Sequence, residues 1–168
     1  MKKILFAHLA IALAATVLPL VVTAQVPVQP AADQEQLLAS ADPALRANKR
    51  LVYDFWREVF EAGQVAQAEK YVAESYIQHN PNVPTGRAAM VGFISRRNPT
   101  PLPVEPRIKA PLVSIVAERD LVILSFVREY PEPQDATRKY TTTWFDMFRL
   151  ENGKIVEHWD GAVKPPKP

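Results

Sequence analysis

The chain has 168 residues, with 20 Lys and Arg against 18 Asp and Glu, for a formal net charge of +2. A length of this order allows one domain. There is no cysteine, which excludes a disulfide framework and a thiol nucleophile. The few glycines form no phosphate-binding motif.

Met1-Lys2-Lys3 precedes a run from Ile4 to Val22 that is apolar apart from His8, and Val22-Thr23-Ala24 supplies small or β-branched residues before a cut. This pattern predicts a secretory signal peptide over residues 1–24. It implies a periplasmic or secreted mature chain without a stable membrane anchor after cleavage. A retained anchor is the competing reading, because the run approaches the ~20 residues that a bilayer needs. Pro19 and the small residues at the cut favour cleavage. Without Lys2 and Lys3 the charge balances at 18 basic and 18 acidic residues. The excess basicity belongs to the leader, so no nucleic-acid partner is expected.

Residues 25–41, with Pro27 and Pro30, read as a flexible linker with one helical turn near Gln34–Ala39. The folded domain is expected over 42–164, with 165–168 as a tail. Asp42 is a good N-cap and Pro43 suits the first helical position. Leu45, Leu51, Val52, Phe55, Trp56, Val59 and Phe60 follow at helical spacing until Gly63. A short helix over Val65–Tyr71 and an extended piece at Tyr76–His79 come next, then a helix over Arg87–Arg96. Five prolines between Asn98 and Pro111 forbid helix there. An edge strand is expected near Arg107–Lys109. Strands follow at Leu112–Ala117, Leu121–Tyr130, Lys139–Leu150 and Lys154–Val163, with a polar loop over Pro131–Thr137. Helices first and an antiparallel meander after them predict an α+β fold, with helices packed on one face of a curved sheet.

The last hairpin decides the chemistry, and its turn admits two registers. A two-residue Asn152-Gly153 turn sets Asp146 opposite Trp159 and His158 opposite Met147. A three-residue loop with Gly153 in the left-handed region sets Asp146 opposite His158. A one-residue slip exchanges the faces. The three-residue loop is preferred because it gathers Trp144, Asp146, Phe148, Val156, His158 and Asp160 on one face. Met147, Arg149, Ile155, Glu157 and Trp159 then point outward.

The inward set has the character of a pocket wall, aromatic and apolar with convergent titratable groups. A carboxylate against an imidazole in such a wall suits general acid–base chemistry. His79, in Tyr76-Ile-Gln-His-Asn-Pro81, is expected to reach the pocket from the loop side. Trp56, Tyr76 and Trp144 would supply its apolar wall. The plainer reading is a structural Asp146–His158 pair, a loop-entry His79 and ordinary core aromatics. Asp146, Asp160, His79 and His158 are acceptable metal ligands, but no ligand-pair spacing is present, so no metal is expected. No Gly-x-Ser-x-Gly elbow is present either.

Tyr76-Ile-Gln-His-Asn-Pro81, Gly86, Phe145-Asp-Met-Phe-Arg149 and Asn152-Gly-Lys-Ile-Val-Glu-His-Trp-Asp160 resemble the SnoaL-like polyketide cyclases of the nuclear transport factor 2-like superfamily. The resemblance covers about Arg46 to Val163. It implies a cone-shaped α+β barrel, with a curved antiparallel sheet wrapped around the N-terminal helices and a deep cavity. It also implies cofactor-free aldol-type closure by an acid–base carboxylate, falling on Asp146 or Asp160 with His79 and His158 assisting. Trp56, Tyr76, Gln78, Asn80, Trp144 and Phe148 are the expected substrate-binding residues. A homodimer through the outer sheet face, with Ile155 and Trp159 among its residues, is likewise expected. An export signal is unusual for a cyclase of intracellular polyketides and favours another small, apolar, oxygenated ligand. The reading is therefore an exported small-molecule cyclase, isomerase, lyase or hydrolase. The alternative is a non-enzymatic small-molecule-binding module of the same fold.

Overall fold

The computed structural model describes residues 25–166, so the expected leader lies outside the described residues. The elements in chain order are α1 (Gln34–Leu37), α2 (Pro43–Phe55), α3 (Ala68–Tyr71), β1 (Val72–Gln78), α4 (Arg87–Arg97), β2 (Leu112–Glu118), β3 (Leu121–Glu132), β4 (Asp135–Glu151) and β5 (Lys154–Asp160). α2 continues as a π-helical segment over Trp56–Glu61, and a 3₁₀ turn at Val65–Gln67 leads into α3.

α2 begins where its sequence dictates. Asp42 accepts from the backbone N–H of Ala44 and of Leu45, and Pro43 fills the first turn. The helix ends at Gly63, whose φ is +69°, and a Cβ there would lie 2.9 Å from the Asn98 side chain. Only glycine meets both conditions. The π-helical segment replaces i→i+4 bonds with i→i+5 bonds. Its wider turn brings Trp56 over Glu61, and the indole N–H donates to the Glu61 carboxylate at 3.3 Å.

The sheet order is β1-β5-β4-β3-β2. The expected antiparallel meander runs from β2 to β5, but β1 pairs with β5 in parallel. The sheet is therefore mixed. Its curvature leaves it unclosed, with β1 and β2 as edges, rather than a complete barrel. The helices cover its inner face, where Val52 and Val59 meet Val72, Leu112, Val122, Leu124 and Ile155, all fully buried. β3 and β4 run through most of the expected Pro131–Thr137 loop, pairing as far as Glu132 and Asp135. No strand forms at Arg107–Lys109.

Residues 25–41 correct the expected flexible linker. Gln34 and Leu38 are buried, and the Ala31 N–H donates to the Leu112 carbonyl at 2.8 Å. The Gln34 amide oxygen accepts from the Tyr53 hydroxyl at 2.8 Å and from the Ile108 N–H at 3.0 Å, while its nitrogen donates to the Ile108 carbonyl at 2.9 Å. Tethering by Gln34 is what keeps Ile108 inside without a strand. Gln34→Leu would leave these partners buried and unpaired. It is expected to cost about 1–3 kcal/mol, read as a lower midpoint in denaturant unfolding.

The hairpin between β4 and β5 corrects the preferred register. Asn152 and Gly153, with φ of 49° and 70°, form a two-residue turn that pairs Glu151 with Lys154. The two left-handed residues suit a type I′ turn. Leu150 then pairs with Ile155, but Arg149 pairs with Glu157, so Val156 is an extra residue at a bulge. That residue shifts the register once more and restores the inward face beyond it. Asp146 stands opposite Asp160 and Phe148 opposite His158, all on the inner side. Before the bulge the assignment reverses. Ile155, expected to point outward, has no exposed surface and belongs to the core.

Candidate functional site

A cavity of about 420 Å³ opens between the inner face of the sheet and the helices. α2 and its π-helical extension contribute Phe55, Trp56 and Phe60. α4 and the segment before it contribute Val83, Met90, Phe93 and Ile94. Alternation along the strands delivers Tyr76 and Gln78 from β1, Phe126 and Arg128 from β3, Trp144, Asp146 and Phe148 from β4, and His158 and Asp160 from β5. Trp56 stacks on Phe126 at 4.7 Å between ring centres, and Phe148 lies 4.7 Å from the His158 ring.

Asp146 and His158 are both buried, with relative exposures of 5% and 7%. They meet diagonally across the ladder, with 3.1 Å between His158 Nε2 and Asp146 Oδ1. His158 Nδ1 lies 2.9 Å from Gln78 Oε1. The Asn80 backbone N–H donates to that same Gln78 oxygen at 2.9 Å, and the Gln78 nitrogen donates to the Tyr76 hydroxyl at 3.0 Å. Gln78 is thereby oriented with its oxygen toward the imidazole. Since an amide oxygen only accepts, Nδ1 must carry a proton. Nε2 and Asp146 therefore share one further proton, held either as imidazolium against carboxylate or as imidazole against carboxylic acid.

The two inward aspartates differ. Asp160 accepts from the Asn80 side chain at 2.7 Å and from the Ala162 N–H at 2.9 Å, one donor on each oxygen. Asp146 has a partner on Oδ1 only, and no buried polar side-chain atom among the described residues lacks a partner. Asp146 Oδ2 is therefore not sealed in protein, and the wall it belongs to faces the cavity. The Tyr76 hydroxyl is raised well above the usual phenol range, by burial first and then by the negative charges of Asp160 and Asp146. It stays an O–H donor at neutral pH.

Asp146, His158 and Asp160 are also the residues that could hold a metal. Each offers one ligand atom, and these atoms lie within 4.8 Å of one another. Folding thus assembles a cluster that linear spacing did not announce. A cation there would have to displace the His158–Asp146 hydrogen bond.

His79 corrects the expected site. Residues next to each other on a strand point to opposite faces, and His79 follows Gln78. Its ring stacks on Trp159, 5.0 Å away and 5° from parallel, and its Nε2 lies 2.7 Å from Glu157 on the outer side of the sheet. Arg149 donates to Glu157 and Asp120 and sits over the same indole. Glu157 is held below the ordinary carboxylate range, first by the His79 hydrogen bond and then by Arg149. A carboxylate lowered in the folded state adds stability that is present above its unfolded value of about 4.3 and lost as pH falls through the folded value. Glu157→Gln should flatten that acid limb by no more than about 1 kcal/mol, because the network is solvent-screened. Denaturant melts between about pH 3 and pH 7 would read this change.

The remaining expected residues, Trp56, Tyr76, Gln78, Asn80, Trp144, Phe148, Asp146, His158 and Asp160, all line the cavity. Sequence reasoning missed Phe60, Arg97, Phe126 and Arg128, which line it too. The signal available for the β3 pair was strand alternation, since Leu124, Phe126 and Arg128 recur at a spacing of two.

Comparisons place this geometry among known folds. A protein described as a SnoaL-like polyketide cyclase from Jannaschia sp. CCS1 is 13% identical, with a TM-score of 0.50 over 73% of this chain and 91% of that one. TsrD from Streptomyces laurentii is 21% identical, with a TM-score of 0.47 over 72% of this chain and 90% of that one. An LEH-like epoxide hydrolase from M. tuberculosis is 11% identical, with a TM-score of 0.49 over 71% of this chain and 80% of that one. No curated protein matches the sequence. The SnoaL-like domain profile matches residues 52–158, well over half of the chain. The chain belongs to the SnoaL-like domain family, within the nuclear transport factor 2-like superfamily.

Proposed function

We propose that the domain catalyses proton transfer on a small carbonyl compound, with Asp146 as the acid–base group and His158 as its partner. The observation that carries this reading is the buried Asp146–His158 pair, whose tautomer is set by Gln78 and whose second carboxylate oxygen is left without a protein partner. Asp160 has both oxygens engaged and acts as a fixed negative charge and an anchor for Asn80. Family membership supports the reading, since SnoaL-like cyclases are expected to work without a cofactor.

In this mechanism the substrate's carbonyl oxygen accepts from the Tyr76 hydroxyl. Asp146 takes a proton from the α-carbon while His158 stays hydrogen-bonded to its other oxygen. The electron pair of the C–H bond becomes the enolate, which the apolar wall of Trp56, Phe126 and Phe148 shields from water. The enolate carbon then attacks a second carbonyl of the same molecule, forming a C–C bond. The resulting alkoxide recovers the proton from Asp146, so no cofactor enters the balance.

Exchange of the α-hydrogens of 2-tetralone in D₂O, followed by NMR, tests the reading on a flat ketone that the cavity can hold. Exchange above the buffer rate that persists after EDTA treatment is expected. Saturable binding of 2-tetralone with exchange no faster than buffer would overturn it in favour of a binding module. Exchange that disappears with EDTA and returns with a divalent cation would reassign the Asp146, His158 and Asp160 cluster to a metal.

A further inference from the structure

We infer that the substrate carries a carboxylate, which Arg97 and Arg128 hold at the mouth while the reacting carbonyl lies near Asp146. This deepens the acid–base reading and rests on it for the position of the reacting end.

Exposure separates the mouth of the cavity from its floor. Four of the lining residues are exposed: Arg97, Lys109, Pro111 and Arg128. Three of the four are cationic, and none is acidic. The acids on the same wall, Glu61, Asp146 and Asp160, lie deeper and are buried or half-buried. Glu61 is occupied, since its oxygens accept from the Trp56 indole and from the backbone N–H groups of Lys109 and Ala110. The cavity is therefore polarised along its depth, positive at the mouth and proton-exchanging at the floor.

The cations are not equivalent. Lys109 pairs with Glu105 at 3.2 Å. Arg97 and Arg128 have no carboxylate within ion-pair distance among the described residues. Each lies over an aromatic ring instead. Arg97 is 5.1 Å from the centre of Phe60 and Arg128 is 5.2 Å from the centre of Trp144, both rings of the cavity wall. Such a contact restrains a guanidinium without consuming its N–H donors. A planar fork held this way matches a carboxylate. A neutral ligand would leave both forks unused. An anion placed at the floor would instead face Asp146 and Asp160. A flat apolar body with its carboxylate outermost satisfies both ends.

Calorimetric titration with 1-naphthoate and with its neutral near-isostere 1-naphthamide separates the outcomes. Naphthoate is expected to bind about tenfold more tightly, a margin of about 1.4 kcal/mol, and to lose most of that margin in about 0.5 M salt. Arg97→Gln and Arg128→Gln should each weaken naphthoate about five- to tenfold and leave naphthamide within about twofold. Arg128→Lys keeps the charge without the planar fork and should retain part of the preference. Equal affinity for the two probes, or arginine variants that weaken both alike, would overturn the carboxylate assignment and leave the acid–base reading standing. Failure of both probes to bind would overturn the carboxylate assignment as well. Loss of 2-tetralone exchange is the separate result that would overturn the acid–base reading.

Discussion

Asp146→Asn is expected to lower the catalysed exchange of 2-tetralone by about 10²–10⁴-fold, with the loss in kcat rather than KM. The substitution keeps the shape of the side chain and every hydrogen bond around it. The new amide nitrogen can donate to His158 Nε2, and Nδ1–H still donates to Gln78. No buried donor or acceptor is orphaned, so the melting temperature should move by no more than a few degrees. What disappears is the group that takes and returns the proton. Asp146→Leu is the contrasting variant. It leaves Nε2 buried without a partner and should cost about 1–3 kcal/mol of stability as well. Unchanged exchange in a folded Asp146→Asn protein would make the pair a structural tether and remove Asp146 from the chemistry.

The largest effect on stability is expected from Ile155→Asp. Ile155 has no exposed surface and faces Leu150 across the β4–β5 ladder, in contact with the core that holds Val72 and Phe55. A carboxylate there would have neither water nor a cation, and such a group costs upward of about 4 kcal/mol. That is a large share of the roughly 5–15 kcal/mol that holds a domain together, so the variant should be mostly unfolded. Val156→Asp, one residue on, places the same charge at the half-buried bulge. It should cost about 1 kcal/mol, the ordinary effect of a single substitution. The pair of variants reads the register directly. An outward Ile155 and an inward Val156, as a three-residue turn would give, predict the reverse order of damage. Far-UV circular dichroism and urea midpoints would distinguish the two.

Both variants turn on one hairpin, and it shows how far the sequence reaches. Alternation of apolar and polar residues along β4 places Trp144, Asp146 and Phe148 together, because side chains on a strand repeat every two residues whatever the surroundings. The N-cap at Asp42, the stop at Gly63 and the change from helical to β-branched patterning are equally local. Each depends on a few neighbouring residues and the conformations open to them. Tyr76, Gln78 and Asn80 could likewise be named from their own segment. The family resemblance in these runs agrees with the fold, helices packed against a curved sheet.

What the tertiary structure alone decided is where strands meet and what they count against. The turn at Asn152-Gly153 and the bulge at Val156 each shift the pairing by one residue. The parity of their combination is invisible until both partners lie side by side, which is why Ile155 turned inward while His158 kept its face. β1 joined β5 in parallel only because the chain had first crossed through α4 and the meander. That pairing put Gln78 against His158 and turned His79 outward onto Trp159 and Glu157. Residues 25–41 look like a linker by composition, yet Gln34 finds its three partners on Tyr53 and Ile108, far along the chain. Arg97 and Arg128 are ordinary surface residues in the sequence and come to line one cavity only when α4 packs on β1 and the sheet carries β3 to another part of the same wall. Local propensity names the residues and their faces. Pairing register and long-range hydrogen bonds, which depend on segments distant in sequence, decide which of those faces share a site.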